Sequence, residues 1–268
     1  MNARMNRATR RMLVSLCAVV CGVWMASVSA EESVPKHIQL GRDLVQNVKP
    51  ENNEYSNENR LVRFPGDTFS SGYTVHTDCT GFVEAMLKRA YGFSPAFSTK
   101  TLKGRFSIID YVDGIERNES FTRITQVDDL RIGDVVAWKF LKKVTSKRVN
   151  GHILQVNGMP KRLDTSRRAG LVQWEVPIID SSSSPKSPDD TRMVSRSDSE
   201  DEDATDEVEK AGKPEKRTGA GAGRIYLYSD EGGNLVAMSF GFHNSKIFKH
   251  GESLYYVMGR LPEKVTRQ

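Results

Sequence analysis

The stretch YTVHTDCTGFVEAMLKRAYG, from Tyr73 to Gly92, sets a cysteine between an acid and a Gly-Phe-Val run. Cys17 and Cys21 both fall in the first thirty residues, so Cys79 is the only thiol of the remainder. After it, Phe82, Val83, Met86, Leu87 and Ala90 recur with the spacing of one buried helix face. Thr77 or Asp78 can cap the start of such a helix, and Gly92 can stop it. The spacing therefore predicts a helix with Cys79 in its first turn, where unpaired N–H groups and the positive end of the dipole favour a thiolate. A buried, inert cysteine is the alternative.

A thiol nucleophile needs a base within hydrogen-bond reach, and that base needs an orienting partner. Five histidines are available: His37, His76, His152, His243 and His250. His152 differs from the others because it opens the short apolar run HILQV, which reads as a strand. The next apolar run, QWEVPIID, ends in Asp180. That acid is placed to accept the Nδ1–H of His152, and its alternative role is to start a turn. His76-x-x-Cys79 has no second pair at metal-ligand spacing, so no metal site is expected. No organic cofactor is implied either.

These groups need a scaffold. GDVVAWKF, HILQVNG, LVQWEVPIID, RIYLYSD, LVAMSF and SLYYVMGRL are rich in Val, Ile, Tyr and Trp and are bounded by turn residues, so they predict strands. Asp230 to Asn234 reads as a hairpin loop. One helix at Cys79 followed by a run of strands predicts an α+β domain, with the cysteine helix packed on an antiparallel sheet. A second helix is expected over residues 31–60, from Ile38, Leu40, Leu44 and Val45. The Gly-rich TGAGAGR lacks the Lys-Ser/Thr ending of a phosphate loop and reads as turn glycines.

Four arginines without an acid, an apolar run from Met12 to Met25 and the small residues Val28-Ser29-Ala30 have the layout of a signal peptide, with cleavage after Ala30. The apolar run is short of the roughly 20 residues that span a bilayer. An exported protein without a stable membrane anchor is thus expected, periplasmic or extracellular. Loss of Arg4, Arg7, Arg10 and Arg11 lowers the formal charge from +5 to +1, which leaves no basic excess that calls for nucleic acid. A lone thiol in an oxidising compartment cannot form an internal disulfide. The segment from about 183 to 218 has almost no apolar side chains and is expected to be a disordered insertion within a domain running from 61 to 268. Its stretch Asp198 to Glu209 holds eight acids, and the rest of the mature chain carries +9.

Asp78-Cys79-Thr80-Gly81-Phe82-Val83, then Leu130 to Trp138 with its Gly133-Asp134 turn, then Gly151-His152-Ile153 resemble the NlpC-type cell-wall cysteine peptidases. That resemblance covers roughly Tyr73 to Ser182. It implies a papain-like fold, hydrolysis of amide bonds in peptidoglycan stem peptides, and Cys79, His152 and Asp180 as the triad. Asp78, Thr80 and Tyr73 are then the candidates for contact with the oxyanion or substrate. Thr80 stands where the family has Ser, Asp180 where many relatives have His, and no Tyr-Gly-Gly precedes the cysteine. The alternatives are a wall-binding module without activity and a thiol acyltransferase.

Overall fold

The computed structural model describes residues 33–68, 70–98, 105–141, 151–194 and 215–266. The expected leader at 1–30 and the acidic run Asp198 to Glu209 lie outside the described residues. The chain divides after Ser33, and the unit from Val34 to Gln268 carries every element described below.

Helix α1 (Lys36–Asn47) buries Ile38 and Leu44 against Phe82 and Met86 of α2 (Cys79–Tyr91), so the expected lead-in belongs to the same core. In α2 the predicted stripe is realised: Phe82, Val83, Met86 and Leu87 are all buried. Asp78 caps its start by accepting the Gly81 N–H at 2.7 Å, and Gly92 ends it in the left-handed region at φ 62°. A further helix, α3 (Ile108–Glu116), opens with a reciprocal Ser107–Asp110 capping box, and a short α4 (Glu263–Thr266) ends the described chain.

All six predicted runs form strands, but they form a larger assembly than expected. β1 (Asn53–Tyr55), β2 (Leu61–Arg63) and β3 (Thr74–Thr77) make a small sheet with β3 in the middle, and β1 runs parallel to it. The large sheet takes in β4 (Thr122–Ile124), β5 (Val135–Phe140), β6 (Gly151–Val156), β7 (Lys161–Arg162) and β8 (Val172–Ser182). β9 (Met193–Val194) pairs only with β10 (Glu215–Lys216). The sheet is completed by β11 (Gly219–Ser229), β12 (Leu235–Phe240), β13 (Phe248–Lys249) and β14 (Leu254–Arg260). Its order is β13-β12-β11-β8-β6-β5-β14-β4, with β7 added on β8, and every pairing in it is antiparallel.

This overturns the papain-like α+β expectation. Of the described residues 36% are strand and 22% helix, and one nine-stranded sheet dominates. The physical reason lies on its second face. Val135, Ala137, Ile153 and Val257 pack under α2 and α3. Their neighbours Val136, Trp138, Leu154, Tyr256 and Met258 meet Val176 of β8, next to β6, and Ile225, Leu227 and Met238 from strands further away in the sheet order. The sheet bends over on itself and builds a second core mostly from strand side chains, joined by Val127 and Leu130 from the turn before β5. A single helix layer on a half-solvated sheet would leave that face wet.

His37 on α1 is buried, with its Nε2 on the Gly133 carbonyl at 3.1 Å and its Nδ1 on the Tyr91 hydroxyl at 3.0 Å. The carbonyl can only accept, so Nε2 carries the proton and Nδ1 accepts from Tyr91. Gly133 sits at φ +96°, and a Cβ there would meet Pro35 Cγ at 2.9 Å and the His37 ring at 3.0 Å. Burial, opposed by the Gly133 bond, pushes the imidazole down to about 4. Above pH 6.5 both folded and unfolded His37 are neutral. As pH falls, the unfolded chain binds the proton first, so stability is lost between about 6.5 and 4. Urea unfolding at pH 7 and pH 4.5 should show roughly 2–3 kcal/mol more loss in the wild type than in His37→Gln. Equal losses would remove His37 as an acid-sensitive point.

Candidate functional site

Cys79 is the first residue of α2, and only 5% of it is exposed. It packs in one buried cluster with Ile153, the residue after His152 on β6. His152 donates from Nε2 to Asp180 Oδ2 at 2.6 Å, with Asp180 fully buried near the end of β8. A carboxylate only accepts, so Nε2 bears the proton and Nδ1 is the nitrogen left with a lone pair. The donating nitrogen is therefore Nε2, where Nδ1 was expected. The Trp138 indole, opposite His152 on β5, stands 5.2 Å from the imidazole between ring centroids.

The other residues expected at the site divide. Asp78 Oδ1 takes the Gly81 N–H and the Thr80 hydroxyl at 3.0 Å, while its Oδ2 takes Arg60 Nη2 at 2.9 Å. The same guanidinium nitrogen donates to Thr80 Oγ1 at 2.6 Å. Both side chains thus hold the helix start, and what remains for an oxyanion is the first-turn amides of Cys79 and Thr80, which have no acceptor within the helix. A Cβ on Gly81 would collide with the Thr77 hydroxyl and meet Arg60 Cδ at 2.9 Å, so this glycine makes room for those two side chains.

Tyr73 lies before β3 with its ring edge-on to Phe64 at 5.9 Å, lining a separate cleft with Lys49 and Arg63. The tyrosine near the thiol is Tyr55. β1 runs parallel to β3 and sets Tyr55 beside Thr77, two residues before Cys79. Its phenol is raised well above the ordinary range by burial, then by the Cys79, Asp78 and Asp180 charges, with Arg60 opposing. A tyrosine 24 positions before the cysteine carried no motif. Only the parallel pairing brings it close.

The sequence also concealed the residues behind Asp180. Ser183 to Val194, expected within the disordered insertion, is an ordered turn with Lys186, Ser187, Asp190 and Arg192 buried. Arg192 Nη2 donates to Asp180 Oδ1 at 2.7 Å and to Asp190 Oδ2 at 2.8 Å. Lys186 Nζ donates to Ser182 Oγ at 2.6 Å and stands 3.9 Å from Asp180 Oδ2. Burial opposes the charge on Asp180, but Arg192, Lys186 and His152 outweigh it and hold the carboxyl well below the usual range. His152 is shifted down by burial first and by the Lys186 ammonium next, against the pull of Asp180, so it is neutral near pH 7.

Burial, reinforced by the Asp78 charge and opposed by the Ile153 N–H, pushes the Cys79 thiol up to about 12. Thiol and imidazole are thus both neutral near pH 7, in place of the thiolate expected from the helix terminus. Iodoacetamide should label Cys79 at pH 7 roughly 10³-fold more slowly than a free cysteine, with the rate rising tenfold per pH unit above it. Rapid labelling at neutral pH would reveal a thiolate–imidazolium pair instead.

A cleft of about 660 Å³ runs along the outer stripe of α2, lined by Gly81, Glu84, Ala85 and Lys88 and closed across by Arg60 and Arg105. Cys79, His152 and Asp180 do not line it; the thiol is on the inward face of α2 with Val83 and Leu87.

The chain is similar to an uncharacterised protein of Acanthamoeba polyphaga mimivirus, 25% identical over 237 residues, covering 85% of this chain and 96% of the relative. No family model and no solved structure matches.

Proposed function

We propose that this chain is an exported cysteine hydrolase that cleaves amide bonds, with Cys79 as nucleophile, His152 as base and Asp180 as the group that orients it. The observation that carries this reading is the buried 2.6 Å bond from His152 Nε2 to Asp180, on the strand whose next residue, Ile153, packs in the same buried cluster as Cys79. In the reaction the sulfur attacks the carbonyl carbon as its proton passes to His152 Nδ1. The oxyanion takes hydrogen bonds from the amides at the start of α2. Collapse breaks the C–N bond, and His152 returns the proton to the leaving amine. Water activated by His152 then releases the acid from the thioester.

The substrate class, peptidoglycan stem peptides, rests on the motif resemblance. The experiment is incubation of the protein from Glu31 onward with purified peptidoglycan, reading released fragments by mass spectrometry. Released fragments name the bond, and their absence at every stem-peptide bond overturns the substrate assignment.

A second reading is a wall-binding module that has no activity. The 5% exposure of Cys79 and its raised pKa favour it. Retention of the protein on the wall without release of fragments decides for it.

A further inference from the structure

We propose that Arg192 is a positioning residue for His152, acting through Asp180, and that Gly221 on β11 is a glycine in order to admit it. The kinetic half of this proposal rests on the hydrolase reading. The geometric half stands without it.

Asp180 has two oxygens and no access to water. Oδ2 takes the His152 proton at 2.6 Å and Oδ1 takes Arg192 Nη2 at 2.7 Å. With one oxygen anchored, the carboxylate cannot turn away from the ring without breaking a charge-assisted bond in a buried setting. Arg192 is itself held on every side. Asp190 grips it through Nε at 2.8 Å and Nη2 at 2.8 Å, and Nη1 donates to the Gly219 carbonyl at 3.1 Å. Asp190 in turn accepts the backbone N–H groups of Lys186 at 2.7 Å and of Arg192 at 3.0 Å, which tie the turn to itself. The four buried charges balance: Asp180 and Asp190 against Arg192 and Lys186, the latter also over the Phe240 ring at 5.2 Å. A balanced set avoids the penalty of a lone buried charge.

The strand beneath is cut to fit. Gly219-Ala220-Gly221-Ala222-Gly223 pairs antiparallel with Ser182 back to Ile178 on β8, which sets Gly221 opposite Asp180. A Cβ on Gly221 would collide with Arg192, meeting its Cδ at 2.8 Å and its Nε closer still. A Cβ on Gly223 would meet Asp190 Oδ2 at 2.6 Å. Glycine weakens a strand interior and often marks a close approach. Here the approaching group is the guanidinium that holds Asp180.

Gly221→Ala tests this without deleting a charge, because it displaces the guanidinium and leaves every ionisable group in place. Arg192→Lys is the second variant, keeping the charge but losing the fork. Gly72→Ala, where nothing lies within 4 Å of the added carbon, is the control. The first readout is the downfield proton NMR signal of the His152 Nε2–H bound to carboxylate, recorded on the full folded chain with histidine-labelled nitrogen. The second is kcat and KM on released stem-peptide fragments. Expected are loss or marked upfield movement of the signal in both variants, with kcat down about 10- to 100-fold and KM within threefold of the wild type. The control should match the wild type.

An unchanged signal in both folded variants overturns the proposal. So does unfolding of both, since Arg192 would then be holding the fold and not the ring. If the wild type shows the signal and the variants lose it, but no chain cleaves any substrate, the positioning role stands and the hydrolase reading fails.

Discussion

Cys79→Ser is expected to abolish fragment release, with kcat/KM falling on the order of 10⁴-fold or more. The size follows from the way this thiol must be activated. Its proton leaves only as the sulfur attacks, because burial keeps the free thiol neutral with a pKa raised to about 12. A hydroxyl in the same place is a far weaker acid, and the neutral His152 is too weak a base to compensate. The fold should be unaffected, since Ser differs by one atom and the cap is made by Asp78. Mass spectrometry of peptidoglycan digests beside a thermal melt reads both quantities. Undiminished release from a folded Cys79→Ser protein would sink the nucleophile assignment.

Asp180→Asn should have the next largest effect, and on two quantities together. The amide cannot present two acceptor oxygens, so either His152 or Arg192 loses its partner. If the amide nitrogen faces His152, the ring flips to the wrong tautomer, and kcat falls by roughly 10³- to 10⁴-fold. Removing the carboxylate also leaves Arg192 and Lys186 with Asp190 as the remaining acid of the buried set. Breaking such a set costs about 3–5 kcal/mol, which in a domain of this size lowers Tm by about 10 °C. Chemical unfolding and single-turnover kinetics separate the two losses. A stable Asp180→Asn protein with full kcat would place the orienting role elsewhere.

The helix at Cys79 was legible because its evidence is local. A cap, a stripe at helical spacing and a stopping glycine all lie within Asp78 to Gly92 and answer to geometry within one turn. The six strands were legible for the same reason, and so were His152 and Asp180, each on its own apolar strand. Arg192 and Lys186 were not. The turn SSSSPKSPDDTR carries no apolar residue except its prolines, and hydrophobic burial was the criterion by which it was assigned to disorder. Its order comes from ion pairs and backbone bonds within the turn and to β8 and β11, which composition does not register. GAGAG was read as turn for a parallel reason, since a strand that leaves out its side chains has no alternating pattern to recognise.

The fold class failed at a different level. Alternation along β5, β6 and β14 announces two faces, but not what covers the second one. That Val136, Trp138 and Met258 pack on Ile225 and Met238 is decided by how nine strands bend together. The tyrosine follows the same rule: Tyr73 is six residues from Cys79 in the chain yet packs on Phe64, while Tyr55 is brought in by the parallel pairing of β1 with β3. The pKa of the thiol inverted between the two levels, because a helix terminus favours the thiolate and burial from all sides opposes it more strongly. The sequence by itself determined the helix at Cys79 and the six apolar strands, with His152 and Asp180 on two of them, since those depend on contacts within a few residues. Tertiary structure alone decided the second core, the charge balance around Asp180 and the resting protonation of Cys79, since each is set by groups distant in the chain that meet only where water is excluded.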